Sequence, residues 1–471
     1  MRWRAIGLLL GLSLVMCIPA WASDYLLPVG PPSGGDDTAV LQAALDDCMT
    51  NHPTGCTIQL SAGTYKSTQL LAESFHGSLR GVGMDATIIQ ALPLVEVTAG
   101  TVGEGYFDTN PPSRTNRYPF LIIFMAGDIK VSDMTFEVTD YDPVSPWCYS
   151  GLGCGQTYLY GFLGVIGTSA KLVIERVGFQ GGPGRLPTGR NYDNGPFFLG
   201  LSIDQPLTGT FKVLSSRIRN GEDSLLVWDV RGAEIIIGGS PSDGNVIEPG
   251  ALGGAFIDLE DSVFEYAYNN VAVDPWAGLL VWQGDLFLPQ NPSQFLIQHN
   301  TFNVMGSYVD GIWPIDAGPV VGWGKTADFV IRDNTIQIAG SEVDPAWAGI
   351  EALGLDEAII LNNRIVGYST LGISLEGATN CLVKGNNIQK VDADLASLGL
   401  LSYNIGTAEE PILVPTSDST VVGFGNKTNV YDEGVNNTFV GVNNMQGNPP
   451  GPAVRDAIKR KMEMIKSMRK P

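Results

Sequence analysis

Along most of the chain, apolar and polar residues alternate in runs of a few residues, each closed by a small polar turn and then one more apolar residue. The clearest are Phe295-Leu296-Ile297-Gln298-His299-Asn300-Thr301-Phe302 and Phe329-Val330-Ile331-Arg332-Asp333-Asn334-Thr335-Ile336. Ile359 to Ile365 and Leu382 to Ile388 continue the series, and weaker copies end at Phe136, Phe179, Ile218, Ile247 and Val271. Period-two alternation over so few residues predicts half-buried strands, not helices. The turn position recurs every 23 to 43 residues, which suits one rung of a coiled β-structure with the excess in loops. Asn tolerates the left-handed backbone better than other non-Gly residues, so the pattern places it at a tight bend between two strands. About ten rungs at roughly 4.8 Å each predict a rod near 50 Å long.

The ends of the chain break this pattern. Residues 1–22 combine the basic Arg2 and Arg4, an apolar run from Ile6 to Ile18, and the small-x-small Ala20-Trp21-Ala22. They read as a secretory signal peptide cleaved near Ala22, placing the mature protein outside the cell or in a periplasm. No other apolar run is long enough to span a bilayer. Asp36-Asp37-Thr38 opens a helix over about 38–49, with Asp as N-cap for its first turn. After Asn448-Pro449-Pro450-Gly451-Pro452, Val454, Ile458, Met462 and Ile465 share one face of a basic amphipathic helix within 448–471. In an oxidising compartment, the short loops between Cys48 and Cys56 and between Cys148 and Cys154 predict two local disulfides, and Cys381 is left as a buried thiol.

Composition narrows the reading. The chain has 471 residues with 58 Gly, 28 Lys+Arg and 49 Asp+Glu, a formal charge of −21. Without signal and tail, the body holds 19 Lys+Arg against 47 Asp+Glu. A surface that acidic excludes nucleic acid as partner, since phosphate binding needs clustered Lys and Arg. It also repels polyuronates unless a cation bridges them, which favours a neutral or cation-bridged glycan.

Asp36-Asp37-Thr38-Ala39, the helix after it, Gly63-Thr64-Tyr65, Leu79-Arg80-Gly81-Val82-Gly83 and the Asn-x-Ile/Phe rungs together resemble the pectin lyase-like superfamily. The resemblance spans roughly 30–445 and implies an all-β, single-stranded, right-handed parallel β-helix over 23–447. In that superfamily the outer face of one sheet commonly forms the substrate groove, and the members include lyases, hydrolases, epimerases and adhesins. The Gly-His-Gly of polygalacturonase-like members is missing, and the three His residues lie elsewhere. His299, beside a bend, reads as a packing or hydrogen-bonding residue.

A candidate site follows from aligning the strands Leu201–Asp204, Leu226–Asp229, Ile257–Glu260, Leu280–Gln283, Val321–Gly324 and Ile373–Glu376. If Ile257 and Leu259 face the core, alternation turns Asp258 and Glu260 outward. Stacking then predicts an outward row of Asp204, Asp229, Glu260 and Gln283, with Asp258 beside it. Carboxylates about 5–10 Å apart suit acid/base work on a glycosidic bond, and Asp229, Asp258 and Glu260 equally suit a calcium site. Arg231 and Lys325 are the nearest basic candidates for a lyase. Trp276 and Trp347 sit in the near-copies Asp274-Pro275-Trp276-Ala277-Gly278 and Asp344-Pro345-Ala346-Trp347-Ala348-Gly349, and Trp313 in a looser one. A Trp on a rigid turn can stack on a sugar ring or cover its own loop. Three functions remain open: a polysaccharide hydrolase or lyase, a non-catalytic carbohydrate-binding or adhesive rod, and a structural envelope protein.

Overall fold

The computed structural model describes residues 25–444, apart from the connecting segments 93–119, 125, 138–160, 167–168, 181–197, 202–206, 222–225, 229, 241, 250–254, 261–264, 269–270, 274–276, 284–292, 306–309, 317–326, 340–345, 368, 391–397, 405–412 and 424–428. The predicted signal peptide, the tail helix and the Cys148–Cys154 pair lie outside the described residues. Within them the chain visits three sheet faces in turn, pairing each strand with the equivalent strand of the next rung. Face A carries fourteen parallel strands, from Tyr25–Val29 to Thr438–Val440. Face B runs from Gly63–Ser67 to Asn387–Lys390. Gly127–Glu137 and Ser169–Gln180 pass unbroken from face A into face B. Face C forms two ladders, Leu70–Ala72 to Phe198–Leu201 and Leu226–Trp228 to Asn443–Asn444. All these ladders are parallel; Leu413–Pro415 adds an antiparallel hairpin to Leu398–Asn404. This is a parallel β-helix, the architecture expected from the sequence. Its first turns lack the Asn-x-apolar signature, and face A has more strands than the clearest and weaker copies mark.

The bend between faces A and B explains the signature, with one change of role. The left-handed residue comes first in the bend: Asp133, Arg176, Ser215, His299, Asp333 and Asn362 have φ between 49° and 59°, and Gly385 has φ 70°. Asn300, Asn334, Asn363 and Asn386 follow it and are buried. Each is held there by what its amide can bond. The Asn363 side-chain oxygen accepts from the Asn334 backbone N–H at 3.0 Å and from the Asn334 amide at 2.9 Å. Its own Nδ2 donates to the Ile331 carbonyl at 2.9 Å, and its backbone N–H donates to Asn386 Oδ1 at 2.8 Å. Asn300 and Asn334 repeat the contact, and Asn245 does so for the Ser216 N–H. The N–H of the second bend residue is met by no carbonyl of the next rung, and a buried unpaired amide costs about 1–3 kcal/mol. The stacked side chains supply the missing partners. His299 takes the left-handed conformation at an exposed bend.

Inward residues of all three faces merge into one core, in which like stacks on like. The Phe295 and Phe329 rings lie parallel, with centroids 4.5 Å apart. At the N-terminus, helix Thr38–Asn51 buries Leu41, Ala44, Leu45 and Cys48 against this core. Its N-cap differs from the expectation. Asp37 caps without its side chain, which instead accepts from Ser33 and Lys66 N–H groups, while Asp36 accepts from Thr38 N–H at 2.8 Å. The predicted Cys48–Cys56 disulfide ties the helix to the strand Cys56–Leu60. Cys381 is buried, and desolvation pushes its thiol pKa up to about 12.

Asn363→Ala leaves the Asn334 N–H and the Ile331 carbonyl without these partners and should cost about 2–3 kcal/mol in urea unfolding. Asn362→Gly, at the exposed left-handed position beside it, should change stability by less than about 0.5 kcal/mol, because glycine adopts that conformation freely. Equal losses in both variants would contradict the division of labour between the two residues.

Candidate functional site

Three features could hold chemistry. The first is a charged stack on the face A–B bend at the N-terminal end. Arg176 Nε donates to Asp133 Oδ1 at 2.6 Å and Nη2 to Oδ2 at 3.0 Å; Arg176 also binds Glu175, which Lys130 meets at 2.5 Å. The Arg176 hydrogen bonds hold the Asp133 carboxyl below its ordinary pKa, and Lys130 does the same for Glu175. These carboxylates are committed to internal ion pairs. The second is a cavity of 510 Å³ between the helix and the loop after Leu70–Ala72, lined by Asp46, Met49, Thr50, Pro53, Glu73, Ser74 and His76. It lies at the capped end, away from the sequence candidates.

The third is face C, and the register organises it. Ile257 aligns with Leu279, Ile312, Ile350, Ile373 and Leu398 in successive rungs. The next residue in each strand forms one column: Leu226, Asp258, Leu280 and Trp313, then Glu351, Ser374, Gly399 and Tyr431. Two residues further on runs a second column: Trp228, Glu260, Trp282, Ile315, Leu353, Glu376 and Leu401. The strand repeat separates the columns by about 6.6 Å and neighbouring rungs by about 4.8 Å.

This places the sequence candidates. Asp258, Glu260 and Trp313 lie on one sheet in adjacent columns. The predicted row does not hold its register: Glu260 aligns with Trp228 and Trp282, so Gln283, paired with Asp316, stands one residue off the row. A one-residue offset matters because alternation sends neighbours to opposite faces. Trp347 lies in the strand Ala346–Leu353, and Arg231 lies in Val230–Ile237 on face A, a different sheet from Asp258 and Glu260. Asp204, Asp229, Trp276 and Lys325 lie outside the described residues. Among the described residues no group of three His, Cys, Asp or Glu side chains is placed to hold a metal ion.

Two further acids stand in these columns, and the sequence alignment contains the strand of Glu376 but not that of Glu351. Glu351 and Glu376 occupy the same columns further along the sheet, and both are buried, at 0 % and 7 % exposure. Both are on the outer side: Ile350, Ala352, Ile373 and Leu375 belong to the core, and the acids alternate with them. Gly349 lets the strand change sides above them, since a Cβ there would lie 2.5 Å from the Ile365 methyl in the core. Ala348, Leu371 and Leu401 consequently form a separate outer apolar cluster with Tyr431. Ser374 Oγ donates to Glu376 Oε1 at 3.0 Å. The signal that could have found Glu351 is the apolar–acid–apolar triplet Ile350-Glu351-Ala352, the counterpart of Ile257-Asp258-Leu259.

Several solved structures are similar to the chain at low identity. A PL6 alginate lyase in complex with a trisaccharide is 10% identical, covering 89% of this chain and 85% of its own, with TM-score 0.46. The Yersinia enterocolitica family 28 exopolygalacturonase is 11% identical over 90% and 79%, with TM-score 0.45. The A-module of an Azotobacter vinelandii mannuronan C-5 epimerase is 14% identical over 89% and 95%, with TM-score 0.42. No protein-family model and no curated protein sequence matches the chain.

The bend stack has a pH signature. Carboxyls whose pKa is lowered by folding stabilise the protein above their unfolded values and lose that contribution as pH falls through the folded ones. Stability of the N-terminal rungs should therefore fall on acidification below about pH 4. Asp133→Asn combined with Glu175→Gln should flatten that part of the urea-midpoint profile; an unchanged acid slope would place the titrating groups elsewhere.

Proposed function

We propose that the protein is exported and acts on a polysaccharide along the outer side of face C, with Asp258 and Glu260 as its acid/base pair. The observation that carries this reading is the register, which sets an acidic strand, Ile257-Asp258-Leu259-Glu260, among strands bearing Trp228, Trp282 and Trp313 in the same two columns. Aromatic rings offer apolar faces on which sugar rings stack. Two carboxyls two residues apart on one strand share a side and repeat at about 6.6 Å. In hydrolysis one carboxylic acid protonates the leaving glycosidic oxygen. The other activates water or attacks the anomeric carbon, according to the separation of the two carboxyl groups.

A lyase reading would use Arg231 or Lys325 as base, with a cation on the uronate carboxylate. Arg231 stands on another sheet, so hydrolysis is the better-supported chemistry. Calcium at Asp229, Asp258 and Glu260 would need a ligand beyond the two described ones, and enters as a condition of the test. The acidic body supports a neutral glycan, or an anionic one bridged by a cation. Export rests on the signal-peptide pattern of residues 1–22. The second reading is a non-catalytic carbohydrate-binding rod, favoured by the Trp-bearing strands alone.

The test is turnover on a panel of neutral and acidic polysaccharides, with and without calcium, read by release of reducing ends and of unsaturated products. Asp258→Asn and Glu260→Gln should each lower kcat by about 10²–10⁴-fold, with circular dichroism unchanged. Trp313→Ala should raise KM more than it lowers kcat. Full turnover in both acid variants would reject the site. Binding without product by the native chain, weakened by Trp313→Ala, would establish the rod.

A further inference from the structure

The outer side of face C does not stay open along its length. Over its C-terminal rungs, residues that alternate away from the core are as buried as the core itself. Ala348, Glu351 and Ser374 are fully covered, and Leu353, Leu371 and Leu401 nearly so. An uncovered sheet exposes such residues, and Glu is rarely buried to this degree on a solvated face. A cover that matches this face has two properties: an apolar surface for Ala348, Leu371 and Leu401, and positive charge complementary to Glu351 and Glu376.

One segment of the chain has both. Residues 453–468 carry Val454, Ile458, Met462 and Ile465 at helical spacing, and Arg455 and Lys459 adjoin that stripe. The stretch from 453 to the end has seven Lys+Arg against two acids, on a body of opposite charge. Its origin is also right. The last described strand, Asn443–Asn444, belongs to face C and lies four strand steps from Ala346–Leu353, through Asn429–Asp432, Leu398–Asn404 and Ser369–Glu376. Four steps measure about 19 Å. A sixteen-residue helix is about 24 Å long, and residues 445–452 give it room to turn back across the strands.

We infer that the basic C-terminal helix docks on the outer side of face C over strands Ala346–Leu353, Ser369–Glu376 and Leu398–Asn404, its apolar stripe on Ala348, Leu371 and Leu401 and its basic edge on Glu351 and Glu376. The docking does not depend on the polysaccharide reading. Its footprint is confined to those three strands, and Asp258, Glu260 and Trp313 lie on other rungs.

Carboxyl footprinting tests it: the mature full-length chain and a chain ending at Gly447 are treated with a water-soluble carbodiimide and glycine ethyl ester, and labelling is read by mass spectrometry. Glu351 and Glu376 should be protected in the full chain, and their labelling should rise about tenfold or more on truncation. Cys381 should stay unreactive to a thiol reagent in both, which reports that the coil is intact. The full-length Arg455→Glu, Lys459→Glu variant should raise labelling in the same direction without removing any chain. Protection that survives both changes would assign the cover to another segment, such as residues 405–412, and overturn the inference. Protection that appears only at high protein concentration would assign it to a second copy, and would overturn the inference equally.

Discussion

The backbone at the bend between faces A and B is the constraint on which the rest depends. A strand amide is satisfied by the rung beside it, and so are the corner amides of Asp333 and Asn362, but the next amide round the corner, that of Asn334 or Asn363, meets a side-chain oxygen in place of a carbonyl. Inside a packed coil water cannot replace the missing partner. Asn meets the need because one side chain carries both an acceptor and a donor, so each Asn serves the rung on either side. The bonds from Asn300 through Asn334 and Asn363 to Asn386 follow from this. So does the left-handed residue before each Asn, which turns the chain so that the amide can face inward.

Once the corners are fixed, every strand's register is fixed with them, and register is what turns a sequence into a surface. Ile257, Leu279, Ile312, Ile350 and Ile373 come from five rungs with different loop lengths, yet they stack in line. Residues one and three places further on must then stack as well. The acidic pair Asp258 and Glu260 acquires Trp228, Trp282 and Trp313 as neighbours through this alignment of corners, not through proximity in the chain. A coil therefore builds a long two-column face readily, because each rung contributes its two residues independently of the others.

Charge is distributed unevenly on this frame. At the N-terminal bends, Asp133 and Glu175 are matched by Arg176 and Lys130 within the coil. On face C, Asp258 and Glu260 share a strand with no basic residue, while Glu351 and Glu376 are carried under cover. In the stretch from 453 on, basic residues outnumber acids, seven to two. An acidic coil and a basic tail are complementary in charge, and such charges attract within the screening length of dilute salt, about 10 Å at 0.1 M.

The sequence by itself determined the coil. Short alternating runs, the repeated Asn-x-apolar closure and the Cys48–Cys56 spacing depend on local periodicity, which is written in consecutive residues. The sequence also supplied Asp258, Glu260 and Trp313, because apolar–acid alternation within one strand is local too. It assigned the left-handed bend to Asn, since propensity marks where such a conformation is tolerated but not which of two neighbours takes it. Only the tertiary structure decided that His299 and Asp333 turn the chain while Asn300 and Asn334 bond it. Only the tertiary structure aligned Glu260 with Trp282 instead of Gln283, put Arg231 on another sheet, and buried Glu351 and Glu376. The reason is the same in each case: register and cover are relations between rungs, and loops of unequal length separate those rungs along the chain, so no local pattern fixes them.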